Sequence, residues 1–363
     1  MTSKQLFYTI YEKRHLIQGL KTYLSLAIDD RKQQSSELGS LVIKDASGWR
    51  RRFRDMLFAL PDLGEVAESF FSDRMDLLRV ASNVREGIVC IIVERNDLVR
   101  LKANIKHHRR IGVGRFVVVD NVSDRETLEW LRQQDDVDIV RVRTPYSTNR
   151  REAWINRVIS YYGTDRWYLV VDSDEMLDIG FEGHAALEPL VKELERVGCS
   201  RARALMVDMY ARPEYYAEGR RDQFLSECVY FDIDTYSKEA FRELDAIYGG
   251  PRERVFGQSA LLTKYPLFYP GKRGVECKSH FPFPLCENTD SECGLYLRHY
   301  KFIPGDAGEY KRRALNGGYY NSSSQYKRYL EVISKNNDDR LNFYYNGSAR
   351  YSGPSSFRRI KGI

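Results

Sequence analysis

Between residues 88 and 175 short apolar runs alternate with amphipathic ones, and nothing else in the sequence narrows the fold so far. IVCIIVE (88–94), RFVVVDN (115–121), VDIVRV (137–142) and WYLVVDSDE (167–175) read as buried strands. NDLVRLKANIKHHRRIGV (96–113), RETLEWLRQQ (125–134) and NRREAWINRVISYYG (149–163) read as the helices between them. Apolar strands separated by helices signal a parallel sheet covered on both faces. The spacing therefore predicts an α/β fold: a Rossmann-like, mostly parallel sheet flanked by helices. Such sheets bind ligands beyond the carboxyl ends of their strands.

The polar residues obey that rule. Glu94 and Arg95 end the first strand, Asp120 and Asn121 the second, Arg143 and Thr144 the third. Asp172, Ser173 and Asp174 end the fourth, with Glu175 directly after. Four strand ends deliver polar groups to one rim, a coincidence stronger than any single motif. Acids packed this closely repel and need a cation, a proton or open water. Two carboxylates at i and i+2 on a strand end suit one hard ion, Mg2+ or Mn2+, which takes oxygen ligands and keeps positions for water and substrate phosphates. The bland alternative is that Asp172 and Asp174 are turn and N-cap residues.

Residues 1–85 read as a mainly helical extension, with Ser47 placed to open a helix and Pro61 and Gly64 to break it. Arg50, Arg51, Arg52 and Arg54 stand among Trp49, Phe53 and Phe58. They offer peripheral contact with an anionic membrane face, against the commoner reading of a solvated helix packing its aromatics on the main domain. Residues 86–305 form the expected catalytic unit. Past residue 185 a helix (ALEPLVKELERVG) and a strand (RARALMVDMYA) precede a mixed extension. Residues 306–363 read as a broken helix pair followed by a loose tail.

The net charge of +6 suits anionic ligands but is too mild to argue for nucleic acid. No apolar run is long enough for a transmembrane helix, and charges interrupt the amino terminus where a signal peptide would be apolar. The expectation is a cytoplasmic chain, with the inner membrane face as a peripheral location. Six cysteines are too few for a disulfide scaffold, and the spacing of Cys277, His280, Cys286 and Cys293 matches no common zinc finger. Gly112 and Gly114 fall between helix and strand, so they read as turn glycines and not as a dinucleotide fingerprint.

The ordered motifs VERND, VVVDN.SD..T..WL and YG.DRWYLVVDSDE resemble family-2-type nucleotide-sugar glycosyltransferases with the GT-A fold, in the bacterial branch carrying DN.S.D and D.DE. RALMVDMY, SHF, RHYKF and GGYYNSSSQYKRYLE extend the resemblance over residues 88–332. It implies sugar transfer from a nucleotide-diphosphate sugar to a hydroxyl of a polysaccharide, lipid-linked glycan or other surface glycan, metal-dependent and inverting. It implies Asp172 and Asp174 as metal acids, with His299, or else His280, as a third ligand against a structural role for each. Asp120 would contact base or ribose, with Glu94, Arg95, Asn121 and Asp124 around the nucleotide. Val122 stands where the family often has glycine near this turn. Asn149, Arg150 and Asn156 would face the donor, Ser173 would line the same site, and Arg150 or Arg151 would reach a phosphate. Asp208 is the candidate base, alternatively a structural acid or a sugar contact. His107 and His108 read as surface helix residues. Two other classes remain in view: a non-catalytic nucleotide-sugar-binding module, and a nucleotidyltransferase, disfavoured by the lack of a Gly-rich loop after the first strand.

Overall fold

The computed structural model describes residues 66, 69–180, 186–241, 244–271, 277–278, 280–282, 288, 294–316, 320–335 and 342–363. The arginine-rich stretch at 50–54, Cys286 and Cys293 lie outside these residues, and with them the expectations of membrane contact and of the zinc spacing. No described helix is long and apolar enough to cross a membrane.

The expected α/β architecture is present. Strands β1 (Met75–Arg79), β2 (Val89–Glu94), β3 (Arg115–Asp120), β4 (Val137–Val142), β5 (Tyr168–Val170), β6 (Glu175–Ile179) and β7 (Arg201–Asp208) come first, with helices α1 (Leu98–Arg110), α2 (Arg125–Arg132) and α3 (Thr148–Tyr162) after β2, β3 and β4 and α4 (Leu187–Arg196) after β6. Strands β8 (Tyr230–Asp232), β9 (Tyr236–Phe241), β10 (Leu244–Gly249), β11 (Thr263–Phe268) and β12 (Leu295–His299) follow. Helices α5 (Ala307–Asn316) and α6 (Tyr320–Lys335) and strand β13 (Ser348–Arg350) come last. Nine strands form one sheet in the order β1-β4-β3-β2-β5-β11-β7-β12-β6.

Strands β4, β3, β2 and β5 run parallel. Alternate residues of β2 bury into opposite faces: Cys90 and Ile92 pack with Leu101 and Ile105 of α1, whereas Val89 and Ile91 pack with Trp154 and Val158 of α3. That two-sided burial explains why the strands read as unbroken apolar runs rather than alternating ones. Helix starts follow from side-chain caps: Asp124 accepts the Thr127 N–H at 2.9 Å, and Ser147 accepts the Arg150 N–H at 3.1 Å.

The other half of the sheet places the later residues. The chain leaves β5 through Asp172–Asp174 and re-enters the sheet at its far edge as β6. There β12 pairs antiparallel with β6 and parallel with β7. The register sets His299, the last residue of β12, opposite Glu175 on one side and Asp208 on the other.

Two stretches differ from the sequence reading. Met75–Arg79, inside the segment read as helical, is an edge strand antiparallel to β4. Five residues are too few for the apolar period to separate strand from helix. The carboxyl-terminal tail is not loose. Strand β13 pairs with β8, and Phe357 is fully buried beside Phe231, Tyr296 and Tyr351. The Gly, Ser and Arg content around Phe357 concealed that one anchoring ring.

Candidate functional site

A cleft of about 810 Å³, counting its open mouth, lies at the carboxyl ends of β2, β3 and β5. Glu94, Arg95, Asn121, Asp172, Ser173 and Asp174 line the sheet side, as the strand-end rule predicts. Arg151 of α3 and Asp97 join them. Lys301, Arg312, Arg313 and Tyr326 close the opposite side from the carboxyl-terminal segment.

The acidic turn is held from beneath by α1. The Asn104 amide donates to the carbonyls of Asp172 (3.0 Å), Ser173 (3.3 Å) and Glu175 (2.6 Å). His108 fixes that amide: its Nε2 accepts the Leu177 N–H at 3.2 Å, so its Nδ1 carries the proton toward the Asn104 oxygen at 2.8 Å. The expectation of a surface His108 is thus overturned. The ring is fully buried, and burial holds its pKa well below the ordinary value. His107 is also largely covered, with Nε2 at 2.6 Å from the Leu177 carbonyl. Glu175 accepts the Asp172 N–H at 2.9 Å and pairs with buried Lys264 at 2.5 Å. It braces the turn from inside the protein.

The two acids have different surroundings. Asp172 is half-exposed, and its Oδ1 accepts from Nη2 (2.6 Å) and Nε (3.1 Å) of Arg151. Burial pushes its pKa up, but Arg151 and Lys264 together bring it down to about 2. Asp174 Oδ2 lies 3.3 Å from Nε2 of His299 and 4.0 Å from Nζ of Lys301. His299 in turn sets its Nδ1 at 2.5 Å from Asp208. Burial opposes a charge on the ring, yet Asp174 and Asp208 raise its pKa overall.

Asp208 itself is 1% exposed and holds Arg252 at 2.7 Å with its second oxygen. Both oxygens are committed, and Asp208 does not line the cleft. His280 donates from Nδ1 to the Thr263 carbonyl at 2.9 Å, and burial beside Lys264 lowers its pKa to about 4. That bond gives it a structural place.

Among the remaining expected residues, Asp120 is fully buried. It closes its own turn by accepting the Ser123 N–H at 2.9 Å and lies 3.3 Å from Arg141. Asp124 caps α2. Asn156 pins the backbone of Cys277 through bonds of 2.8 and 3.2 Å. Arg150 turns to the Pro145 carbonyl at 2.9 Å, so it is Arg151 that reaches the cleft. Asn149 lies on α3 without lining the cleft. Val122 adopts φ +60°, a left-handed conformation that glycine favours and a β-branched residue rarely takes.

Sequence reasoning missed Lys264, Lys301, Arg312, Arg313 and Tyr326. A signal existed for the support beneath the turn: Arg100, Asn104 and His108 recur at i, i+4, i+8 as a polar stripe on an otherwise buried helix face.

Three residues that line this cleft each keep one buried atom without a partner. Oε2 of Glu94, Oδ1 of Asn121 and Nη1 of Arg151 make no hydrogen bond of ordinary geometry. Native interiors rarely leave such atoms unmet, and a ligand is one remedy. Glu94 is 2% exposed; burial and the nearby Asp97 push its carboxyl up to about 8.

No group of three or more His, Cys, Asp or Glu side chains among the described residues is poised as a complete metal cage. The donor chemistry fits an ion at one place. Asp174 Oδ2 and His299 Nε2 converge, with Asp208 orienting the ring from behind, the usual support for a metal-bound imidazole. An ion held there would take its other ligands from phosphate and water.

No family model matches the chain, and no curated protein matches it. Among solved structures, the mannosyltransferase PcManGT from Pyrobaculum calidifontis in complex with GDP-Man and Mn2+ aligns at 12% identity. The alignment covers 46% of this chain and 45% of that one, less than half its length, with a TM-score of 0.25. An apo UDP-glucose pyrophosphorylase aligns at 9% identity over 70% of this chain and 100% of its own, with a TM-score of 0.28. Neither overlay is close enough to assign a substrate or a metal.

Proposed function

We propose that the chain is a glycosyltransferase that binds a nucleoside-diphosphate sugar in the strand-end cleft and transfers the sugar to a hydroxyl of a glycan or lipid-linked acceptor. The observation that carries this reading is the meeting of two kinds of group on one rim. Asp174 on the rim and His299, buried directly behind it at 3.3 Å, offer oxygen and nitrogen donors to a divalent ion, while Arg95, Arg151, Lys301, Arg312 and Arg313 line the cleft with positive charge. A diphosphate needs both.

In this reading Arg151 has two tasks. Nε and Nη2 hold Asp172, and the unpartnered, buried Nη1 donates to a phosphate oxygen. Asp174 and His299 would hold Mn2+ or Mg2+, with Asp172 supporting them from its pair with Arg151. When bound, the ion neutralises charge that builds on the departing diphosphate. Glu94 and Asn121, with their unmet buried oxygens, take the nucleoside. Asp208 orients His299 and is not the base for the acceptor. The catalytic unit extends past the expected boundary at 306, because Arg312, Arg313 and Tyr326 form one wall of the cleft.

The test is a panel of nucleotide sugars followed by thermal unfolding, with and without Mn2+, because a ligand of the folded state raises the apparent melting temperature. A Mn2+-dependent rise with one sugar nucleotide supports the reading. No rise with any of them removes it.

A further inference from the structure

Helix α1 supports the acidic turn through Asn104, and one turn earlier it carries a buried arginine that reaches the opposite wall of the cleft. Arg100 is 4% exposed and does not itself line the cleft. Its Nε donates to the Tyr300 carbonyl at 2.8 Å and its Nη2 to the Lys301 carbonyl at 3.1 Å. Nη1 donates to Asp97 at 2.8 Å and to Asp306 at 3.3 Å, and Nη2 also bonds Asp306. A guanidinium holds its five donors in a fixed fork. Here the fork joins α1 to the end of β12 and to the start of α5.

The segments it joins carry the positive charge of the cleft. Strand β12 ends at His299, and past it Arg100 replaces the sheet as partner of the next two carbonyls. The Tyr300 N–H donates to the Asp174 carbonyl at 2.8 Å, so one residue is tied to the acidic turn through its N–H and to Arg100 through its carbonyl. Asp306 stands directly before α5, which bears Arg312 and Arg313. Its Oδ2 accepts the Ile303 N–H at 3.2 Å, and its Oδ1 pairs with Arg221 at 2.7 Å. Burial opposes a charge on Asp306, but Arg100 and Arg221 outweigh it and hold the pKa below the ordinary carboxylate value. A buried ion pair adds little net stability over apolar packing of the same volume. Stability alone does not require this arrangement; fixing two segments against one helix does.

We propose, resting on the nucleoside-diphosphate reading above, that Arg100 is a positioning residue: it sets the separation between the Asp174–His299 pair and the cationic wall of Lys301, Arg312 and Arg313, so that both meet one diphosphate. Asn104 holds the turn and Arg100 holds the wall, four residues apart on one helix. Arg100 grips Lys301 by its carbonyl and leaves the side chain to the cleft, where Nζ lies 4.0 Å from Asp174. Charged groups fixed in place before a ligand arrives bind it without the cost of ordering them.

The experiment is a double-mutant cycle on the full chain with Arg100→Lys, Lys301→Met and the two combined. UDP, GDP, ADP and CDP are titrated calorimetrically with Mn2+ present, and the tightest binder is carried through the cycle. Lysine keeps the charge of Arg100 and loses the fork. Arg100→Lys alone should weaken diphosphate binding about tenfold, and in the Lys301→Met background the same change should cost at least about threefold less, because residues that act through one another are not additive. Wild-type affinity in Arg100→Lys overturns the proposal. So does an equal loss in both backgrounds, which is what a merely structural role gives. If Arg100→Lys does not fold, Asp306→Asn takes its place in the cycle: it keeps the size of the side chain and removes the charge opposite Arg100. A coupled loss then supports the proposal, and an additive loss or none overturns it. An additive cycle on a chain that binds a diphosphate leaves the glycosyltransferase reading standing. A wild type that binds none of the nucleotides removes that reading, and the proposal with it.

Discussion

Asp208 accepts the Nδ1–H of His299 at 2.5 Å, which commits the other ring nitrogen to face Asp174 at 3.3 Å. The contact follows from register, since β12 sets His299 beside Asp208 of β7. Asp208→Asn tests it. The change leaves buried Arg252 without its carboxylate and frees the imidazole to turn. Breaking one side of a buried pair costs ~3 kcal/mol, and losing the support of a metal-bound histidine weakens metal binding about 10- to 100-fold. Urea unfolding and Mn2+ titration read the two effects. A catalytic base at this position would instead show slowed transfer with Mn2+ affinity unchanged.

The histidines make opposite contributions to pH stability. His299 has a raised pKa, so its contribution is fully present below the ordinary histidine value and is lost as pH rises through the folded value. His280 is lowered to about 4, so its contribution is present above the ordinary value of 6.5 and is lost as pH falls toward 4. Metal-free protein should therefore weaken on both sides of a middle range. His280→Asn should make the acid side shallower, removing a dependence of up to ~3 kcal/mol, while buried His108, also lowered, keeps part of the slope and the alkaline side stays unchanged. Denaturant midpoints from pH 4 to pH 9 decide it.

Glu94 titrates in the reverse sense to an ordinary carboxylate. Its folded value of about 8 lies above the usual 4.5, so its contribution is complete below 4.5 and disappears as pH rises through 8. Glu94→Gln removes the buried charge. It should stabilise the protein by ~2–4 kcal/mol at pH 9 and hardly at all near pH 4, while weakening nucleotide binding. Thermal melts at the two pH values check this. Equal melts for wild type and variant at pH 9 would mean that the carboxylate is adequately solvated.

Val122 holds φ +60°, an expensive conformation for a β-branched residue. Its side chain is 39% exposed, so little packing is lost on removing it. Val122→Gly should raise stability by about 1 kcal/mol. A neutral or destabilising result in equilibrium unfolding would show that the loop relaxes without strain.

The parallel half of the fold was legible because its strands are buried on both faces, and unbroken apolar runs between amphipathic segments have few other solutions. The strand-end rule placed Glu94, Asn121, Asp172 and Asp174 on one rim for the same reason. The antiparallel half was harder to read. Strand β6 leaves the sheet after Asp174 and returns at the far edge, and no local pattern reports which strand will accept it. Lys301, Arg313 and Tyr326 reach the cleft from α5, α6 and the end of β12, so their meeting depends on long-range packing. Asp124 and Asn156 matched motif positions, yet each spends its side chain on a cap or a neighbouring backbone. Residue type and spacing cannot separate those duties from ligand contacts.

The account rests most heavily on Asp174 and His299 as the place where a divalent ion meets a nucleoside diphosphate. Electron paramagnetic resonance of free Mn2+, titrated with protein and the best-binding nucleoside diphosphate, measures this directly. The account predicts that the wild type removes Mn2+ from solution in proportion to protein, and that Asp174→Asn and His299→Ala each weaken uptake at least tenfold. Uptake that is the same in both variants as in the wild type would contradict it.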